Sequence, residues 1–322
     1  MGFALPDYWV WDFWIADDGD LFHLFYLHAP KTLRDPDLRH RNARIGHATS
    51  LDLKTWINHG LAFPAGAPGE FDGTATWTGS VVRGHDGRWR MYYTGSRFLA
   101  PDSNANVETI GMLVSDDLFA WTKHPGPVSK ADQRWYETLG SSRWPEEAWR
   151  DPWVFPDADG HTWHMLITAR DNQGELMYRG VVAHATSVDM THWQAQPPLS
   201  PSGYDFAHLE VIQTAEIDGR HYAIFSCDTP RLAGRLADRM GGIWWMRTQG
   251  PLGPFDIANA KLLAPQDLYA GRLVLDRSGH WHLMGFNNRT VGGSFAGSIS
   301  DPIRVLVDPR TGDLSLDGEP SE

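Results

Sequence analysis

Three acidic residues stand where an acid is expensive to place. Asp12 lies in Trp11-Asp12-Phe13-Trp14, Asp151 in Arg150-Asp151-Pro152-Trp153, and Glu210 in Leu209-Glu210-Val211-Ile212. A carboxylate amid apolar and aromatic neighbours is costly unless its surroundings are polar and occupied. Carboxyl groups converging in such a place can divide chemical labour. One keeps its proton and serves as an acid, while another stays ionised as nucleophile or charge stabiliser. Each also has a plainer reading. Asp12 could cap a turn, and Asp151 before Pro152 could simply start one. Glu137, Glu146, Glu147 and Glu216 compete with Glu210 by composition. What favours the three acids is their common phase within a repeat.

A turn signal followed by a strand-like run occurs five times. Asp18-Gly19 precedes 21–27, Asp86-Gly87 precedes 89–94, and Asp159-Gly160 precedes 162–168. Asp218-Gly219 precedes 220–226, and Ser278-Gly279 precedes 280–286. Asp-Gly between apolar runs predicts a hairpin, because type I′ turns need positive φ at both central positions. A second element, Ser-x-Asp-x-x-x-Trp, recurs at Ser50/Trp56, Ser115/Trp121 and Ser187/Trp193. Its Ser and Asp suit a turn that bonds its own backbone, and its Trp suits an anchor between units. Five copies at ~60–70 residues each predict an all-β fold, a five-bladed β-propeller, in one catalytic domain over residues 1–322. Segments 131–139 and 231–240 are short helix candidates. In such a ring the strand before each turn lines the central channel, and three of those five strands carry Asp12, Asp151 and Glu210.

The bulk numbers narrow the partners. The chain has 322 residues, 16 Trp, one Cys and a formal charge of -12. The negative charge argues against nucleic acid and anionic membranes, and no stretch approaches a membrane span. Cys227 reads as buried packing, and one cysteine cannot form an intrachain disulfide. The first residues lack a basic and apolar leader, so the expected compartment is the cytoplasm. The 15 His residues show no metal-ligand spacing, and there is no phosphate- or dinucleotide-binding glycine motif, so neither metal nor cofactor is expected.

The chain resembles glycoside hydrolase family 32, the invertase and inulinase family, and its relative family 68. Phe22-His23-Leu24-Phe25-Tyr26 is similar to the family's Y-H-L-F-Y, and the segment from Gly46 to Trp56 to its G-H-A-x-S-x-D-L-x-x-W. Trp77-Thr78-Gly79-Ser80, Arg150-Asp151-Pro152 and Asp267-Leu268-Tyr269-Ala270 resemble F/W-S-G-S, R-D-P and D-F-Y-A. Ser298 to Arg304 resembles the closing S-L-P-R-E-L segment. The departures are also clear. Trp9-Val10-Trp11-Asp12-Phe13-Trp14 is closer to the V-W-D-S-W of family 68 than to W-M-N-D-P-N-G. Val211 stands where E-C-P has Cys, Leu27 where a Gln often follows, and the usual β-sandwich does not follow before residue 322.

The resemblance implies cleavage of β-fructofuranosides such as sucrose or short fructo-oligosaccharides, with or without fructosyl transfer. It implies Asp12 as nucleophile, Glu210 as acid/base and Asp151 as binder of ring hydroxyls, in a retaining mechanism. Apolar neighbours should raise the Glu210 pKa, and hydrogen bonds should keep Asp12 ionised. Trp14, Trp77, Arg150 and Tyr269 are candidates for binding the sugar, each with core packing as the alternative; His28 and His208 are weaker ones. Loop 134–149, with Trp135, Tyr136, Trp144 and Trp149, is expected to shape the leaving-group side; loop 228–242, with Arg231, Arg235 and Arg239, is another specificity candidate, with a solvated helix as the equal alternative. The partner is then a small carbohydrate, and an uncovered face could support a homodimer. Two other readings remain open: an inverting arabinofuranosidase or xylosidase like family 43, and a sugar-binding propeller without catalysis.

Overall fold

A computed structural model describes residues 2–290 and 293–318. The turn signals sit between the antiparallel first and second strands of five sheets, as expected. Two-residue type I′ geometry holds only at Asp218-Gly219, where both φ are positive (51° and 72°). Gly87, Gly160 and Gly279 instead donate to the carbonyls of Gly84, Asp157 and Asp276. Each closes a type I turn with the glycine in the left-handed region, the longer hairpin solution.

The innermost strands, blades one to five, are Tyr8–Asp17, Ala75–Arg83, Trp149–Pro156, Glu210–Ile217 and Leu268–Leu275. Each pairs outward in sequence order through strands such as Phe22–Pro30, Arg44–Ser50 and Ile57–Phe63 in blade one. In blade two the short strand Glu146–Glu147 adds in parallel to Asn106–Ser115. In blade five the third position is split between Phe295–Ile299 and Ile303–Val307. The ring closes where Ile299 N–H donates to Phe3 O at 2.8 Å. Segments 131–139 and 231–240 contain no α-helix; the latter begins with a 3-10 turn, Thr229–Arg231, and carries another, Gly234–Leu236.

Both faces of each blade are apolar, so the core lies in the seams between neighbours. Met91, Tyr93 and Leu113 of blade two face Phe25, Ile45 and Phe63 of blade one. Tyr92, Ile110 and Met112, one residue along, face blade three. Period-2 alternation thus feeds two cores from one strand.

The Ser-x-Asp-x-x-x-Trp repeats anchor the seams. Asp52, Asp117 and Asp189 each accept two backbone N–H groups three residues or fewer ahead. The residue after each Asp, namely Leu53, Leu118 and Met190, is left-handed (φ 63°, 66°, 65°) and buried. That strained turn presents the Trp to the preceding unit. Trp121 meets Phe25 of blade one edge-on at 5.6 Å, Trp193 meets Tyr92 of blade two at 5.3 Å, and Trp56 meets Phe3 at 6.5 Å. Trp193→Ala should lower unfolding free energy by about 3 kcal/mol. Val188→Ala in the same turn, 80% exposed, should change it by less than about 0.5 kcal/mol. Equal losses in denaturant titrations would refute the anchoring role.

Candidate active site

All five innermost strands break their pairing at the same depth. The irregularity lies between Trp11 and Phe13, Trp77 and Gly79, Arg150 and Trp153, Glu210 and Gln213, and Tyr269 and Arg272. A bulge frees one or two residues from the ladder and re-aims their side chains. Here the freed positions start with Asp12, Thr78, Asp151, Val211 and Ala270. The last three residues of that set have φ of 58°, 55° and 49°, a conformation that non-glycine residues hold only when the surroundings compel it.

These positions and the residues just before them, all but Ala270, line one cavity of about 500 Å³. It brings together Asp12, Asp151, Glu210, Arg150, Trp77 and Tyr269. Trp14 is not among its walls. It is 1% exposed and stacks on Phe25 inside the blade one–blade two seam, so its expected sugar contact is corrected to core packing. Counting by twos from Asp12 puts Trp14 on the cavity side, but the bulge at Asp12 shifts the phase. Trp11 takes the wall instead.

Asp12 Oδ2 accepts from the Thr78 hydroxyl of blade two. Asp151 Oδ2 accepts from Thr168 Oγ1 at 2.9 Å and from Val211 N–H at 3.2 Å. Its own N–H donates to Thr94 Oγ1 at 3.0 Å, and Thr94 donates in turn to Thr78 O. Arg150 is the hub. Nη1 donates to Glu108 Oε2 at 3.0 Å, Nη2 donates to Glu210 Oε1 at 2.8 Å, and Nη2 lies 3.3 Å from His208 Nδ1. Tyr269 donates its hydroxyl to Glu210 Oε2 at 2.6 Å. Both Glu210 oxygens are therefore held, one by blade three and one by blade five.

Electrostatics run against the expectation for the acids. Burial raises the Asp12 pKa to about 7; Asp151 and Glu210 add to the rise, while Thr78 and Arg39 oppose it. Burial also raises Asp151, against the pull of Arg150. For Glu210, burial works upward as expected, but the guanidinium groups of Arg150 and Arg231, with the Tyr269 and Arg150 hydrogen bonds, hold it below the usual carboxylate value. Leu209 packs into the blade three–blade four seam; the groups that face the carboxyl are Arg150 and Tyr269 of other blades and Arg231 from a loop of its own.

The loops contribute less than expected in one case and more in another. From 134–149 only Pro145 and Glu146 reach the cavity. Trp149 and Tyr136 fill the blade two–blade three seam, and Trp144 covers the Arg170 guanidinium at 3.6 Å. From 228–242, Asp228 and Arg231 line the cavity and pair at 2.7 Å, whereas Arg235 binds Asp205. His28 lies outside, against Tyr8 and Tyr26, and His208 is a buried layer behind Arg150. Glu137 is consumed by Arg170 and Arg179, and Glu216 is exposed at a rim. Sequence reasoning missed Thr78, Asp228 as a cavity acid, and the 3-10 segment Pro36–Asn42, which supplies Asp37, Arg39, His40 and Arg41. Aligning the five pre-turn strands would have exposed Thr78; the 3-10 wall carries no such signal.

The profile of the Glycosyl hydrolases family 32 N-terminal domain matches residues 14–247, which include Asp151 and Glu210 and begin two residues past Asp12. An extracellular sucrase of Zymomonas mobilis is 23% identical over 363 aligned positions, covering 97% of this chain and 81% of the relative. Among solved structures, the inulosucrase of Halalkalicoccus jeotgali bound to kestose superposes with a TM-score of 0.77 at 22% identity, covering 99% of this chain and 92% of that one. The Bombyx mori GH32 β-fructofuranosidase gives 0.72 at 19% identity, covering 98% and 64%. The sucrase corrects the expected cytoplasmic location: a relative spanning nearly the whole chain is named for work outside the cell, so the bare first residues are no guide to compartment. No helix among the described residues is long and apolar enough to cross a membrane. The five-bladed ring, its carboxylate-lined cavity and a profile match over most of its length together place this chain in glycosyl hydrolase family 32, as a β-fructofuranosidase-type glycoside hydrolase.

Proposed function

We propose that the chain cleaves β-fructofuranosides of the size of sucrose or short fructo-oligosaccharides with retention at the anomeric carbon. The observation that carries this reading is the convergence of Asp12, Asp151 and Glu210, from three blades, in one cavity. Ionised Asp12 attacks the anomeric carbon while the carboxylic proton of Glu210 passes to the departing glycosidic oxygen. That step forms a fructosyl–Asp12 ester. Glu210, now a carboxylate, then takes a proton from water, which attacks the same carbon and releases Asp12. A sugar hydroxyl in place of that water yields transfer instead. Asp151 and Arg150 receive ring hydroxyls, with Asp151 positioned by Thr168 and the Val211 N–H. Trp11 and Trp77 wall the cavity; the Trp77 indole N–H is already spent on His40 O at 2.8 Å, which leaves its ring to face the sugar.

Asp12→Ala, Asp151→Ala and Glu210→Ala should each lower kcat on sucrose or kestose by at least ~10³-fold with an unchanged unfolding midpoint. Ordinary turnover by Asp12→Ala would exclude the nucleophile assignment. NMR of the first-formed fructose should show the β anomer; the α anomer would mean inversion and the family 43-like reading.

The productive state of the Asp12–Glu210 pair holds one proton, on Glu210. Apparent pKa values belong to the pair rather than to either acid. The upper of them follows Asp12, at about 7. Above it the pair loses its last proton, so kcat/KM should fall as pH rises through about 7. The Thr78 hydroxyl lowers Asp12; Thr78→Val should therefore move that alkaline limb to higher pH. A limb that stays in place, or moves down, would contradict the assignment.

A further inference from the structure

We infer that Arg39 is a substrate-binding residue, donating from Nη2 to a hydroxyl of the sugar held beside Asp12. The inference rests on the reading of Asp12 and Glu210 as the reacting pair. Arg39 belongs to the 3-10 segment Pro36–Asn42 that walls the cavity. Its guanidinium is held in place by aromatic faces from two blades. The carbon at its centre lies 4.0 Å from the Phe295 ring centroid of blade five and 5.8 Å from that of Trp11 of blade one. Stacking of this kind orients the planar fork and spares the entropy of ordering a long side chain on binding.

The donors are unevenly used. Nη1 donates to Pro36 O at 2.9 Å, with Asp37 Oδ1 at 3.5 Å. Nε is buried and has no partner, and among the described residues no hydrogen bond of Nη2 is formed within the protein. A guanidinium that is mostly removed from water, with only one nitrogen satisfied, is costly. Arg41, two residues on, shows the contrast: Nη1 and Nη2 are both spent on the carbonyls of Ala100 and Ser103. Arg39 has kept its donor for something in the cavity. Its charge also lowers Asp12, so a cation there favours the ionised nucleophile. The groups facing it are Asp37 and Asp35 on its own segment, Asp12 on blade one, and the neighbouring His40. A hydroxyl-rich neutral sugar fits this donor: it takes the hydrogen bond without cancelling the charge that Asp12 needs.

Arg39→Gln and Arg39→Lys test this through kcat, KM and the pH profile of kcat/KM on the fructoside that wild type turns over. Arg39→Gln should raise KM about tenfold and shift the alkaline limb to higher pH, because the cation is lost. Arg39→Lys should restore the limb but leave KM raised, because the charge returns without the fork. Fructose affinity, followed calorimetrically, should fall in parallel with the rise in KM. An unchanged KM and limb in Arg39→Gln, with wild type active, overturns this inference alone, as does a loss of thermal stability that fully accounts for the change in activity. Absence of wild-type turnover on every fructoside overturns the catalytic reading, and the role of Arg39 with it.

Discussion

Arg272 is buried on the axis of the ring, just below the bulges, where removing a guanidinium from water costs several kcal/mol. Its nitrogens face the main-chain oxygens of Phe13 at 3.4 Å, Gly79 at 3.2 Å and Ile212 at 3.5 Å, and its plane lies 5.6 Å from the Trp153 ring. It belongs to blade five, so all five blades meet at this one side chain. The contacts are long for hydrogen bonds, and charge carries most of the weight. Burial lowers its pKa to about 10, which leaves it protonated, and Asp12 and Asp151 resist the decrease. The attraction between this cation and the two acids offsets part of the cost of placing all three at the centre of the ring.

From that centre outward the charges form a layered arrangement. Arg272 supports Asp12 and Asp151 from below, and Arg150 ties Asp151, Glu210 and Glu108 from the side. Arg231, paired with Asp228, also acts on Glu210. Burial pushes every acid towards its neutral form, but the cations are not evenly shared. Glu210 has two close guanidinium groups and Asp12 has none within hydrogen-bonding reach. Burial therefore favours the neutral form of Asp12 more than that of Glu210, the reverse of the order that the proposed roles call for.

Much of the ring is legible in the sequence because its signals are local. A Gly with positive φ after a polar residue, a run of alternating apolar residues, and Asp capping its own turn are each decided within a few residues. Their recurrence then counts the blades. The acids Asp12, Asp151 and Glu210 are legible for the same reason: each lies in the strand just before a turn, six to eight residues ahead of that turn's Asp. Trp14 was misplaced because alternation assumes an unbroken strand, and one bulge reverses every later side chain. The Glu210 environment was misjudged because Leu209 and Val211 are near in sequence, while Arg150, Arg231 and Tyr269 are near in space. The Pro36–Asn42 wall is irregular and follows no period, so nothing in its residues announced that Arg39 would lie against Phe295, some 250 positions away.

The bulges also separate two duties that a strand normally mixes. Beyond the break, side chains interdigitate between blades and secure the ring; at the break and just before it, nine of ten line the cavity, although Trp11, Trp77, Val211 and Tyr269 among them also pack in or against a core. Substitutions at these positions act on the cavity, while the Trp-anchored turns of the outer strands lie apart from it. Such a scaffold can trade one sugar or leaving group for another by altering its floor alone, which makes the kinks in the innermost strands the ground on which new specificities of this architecture can arise.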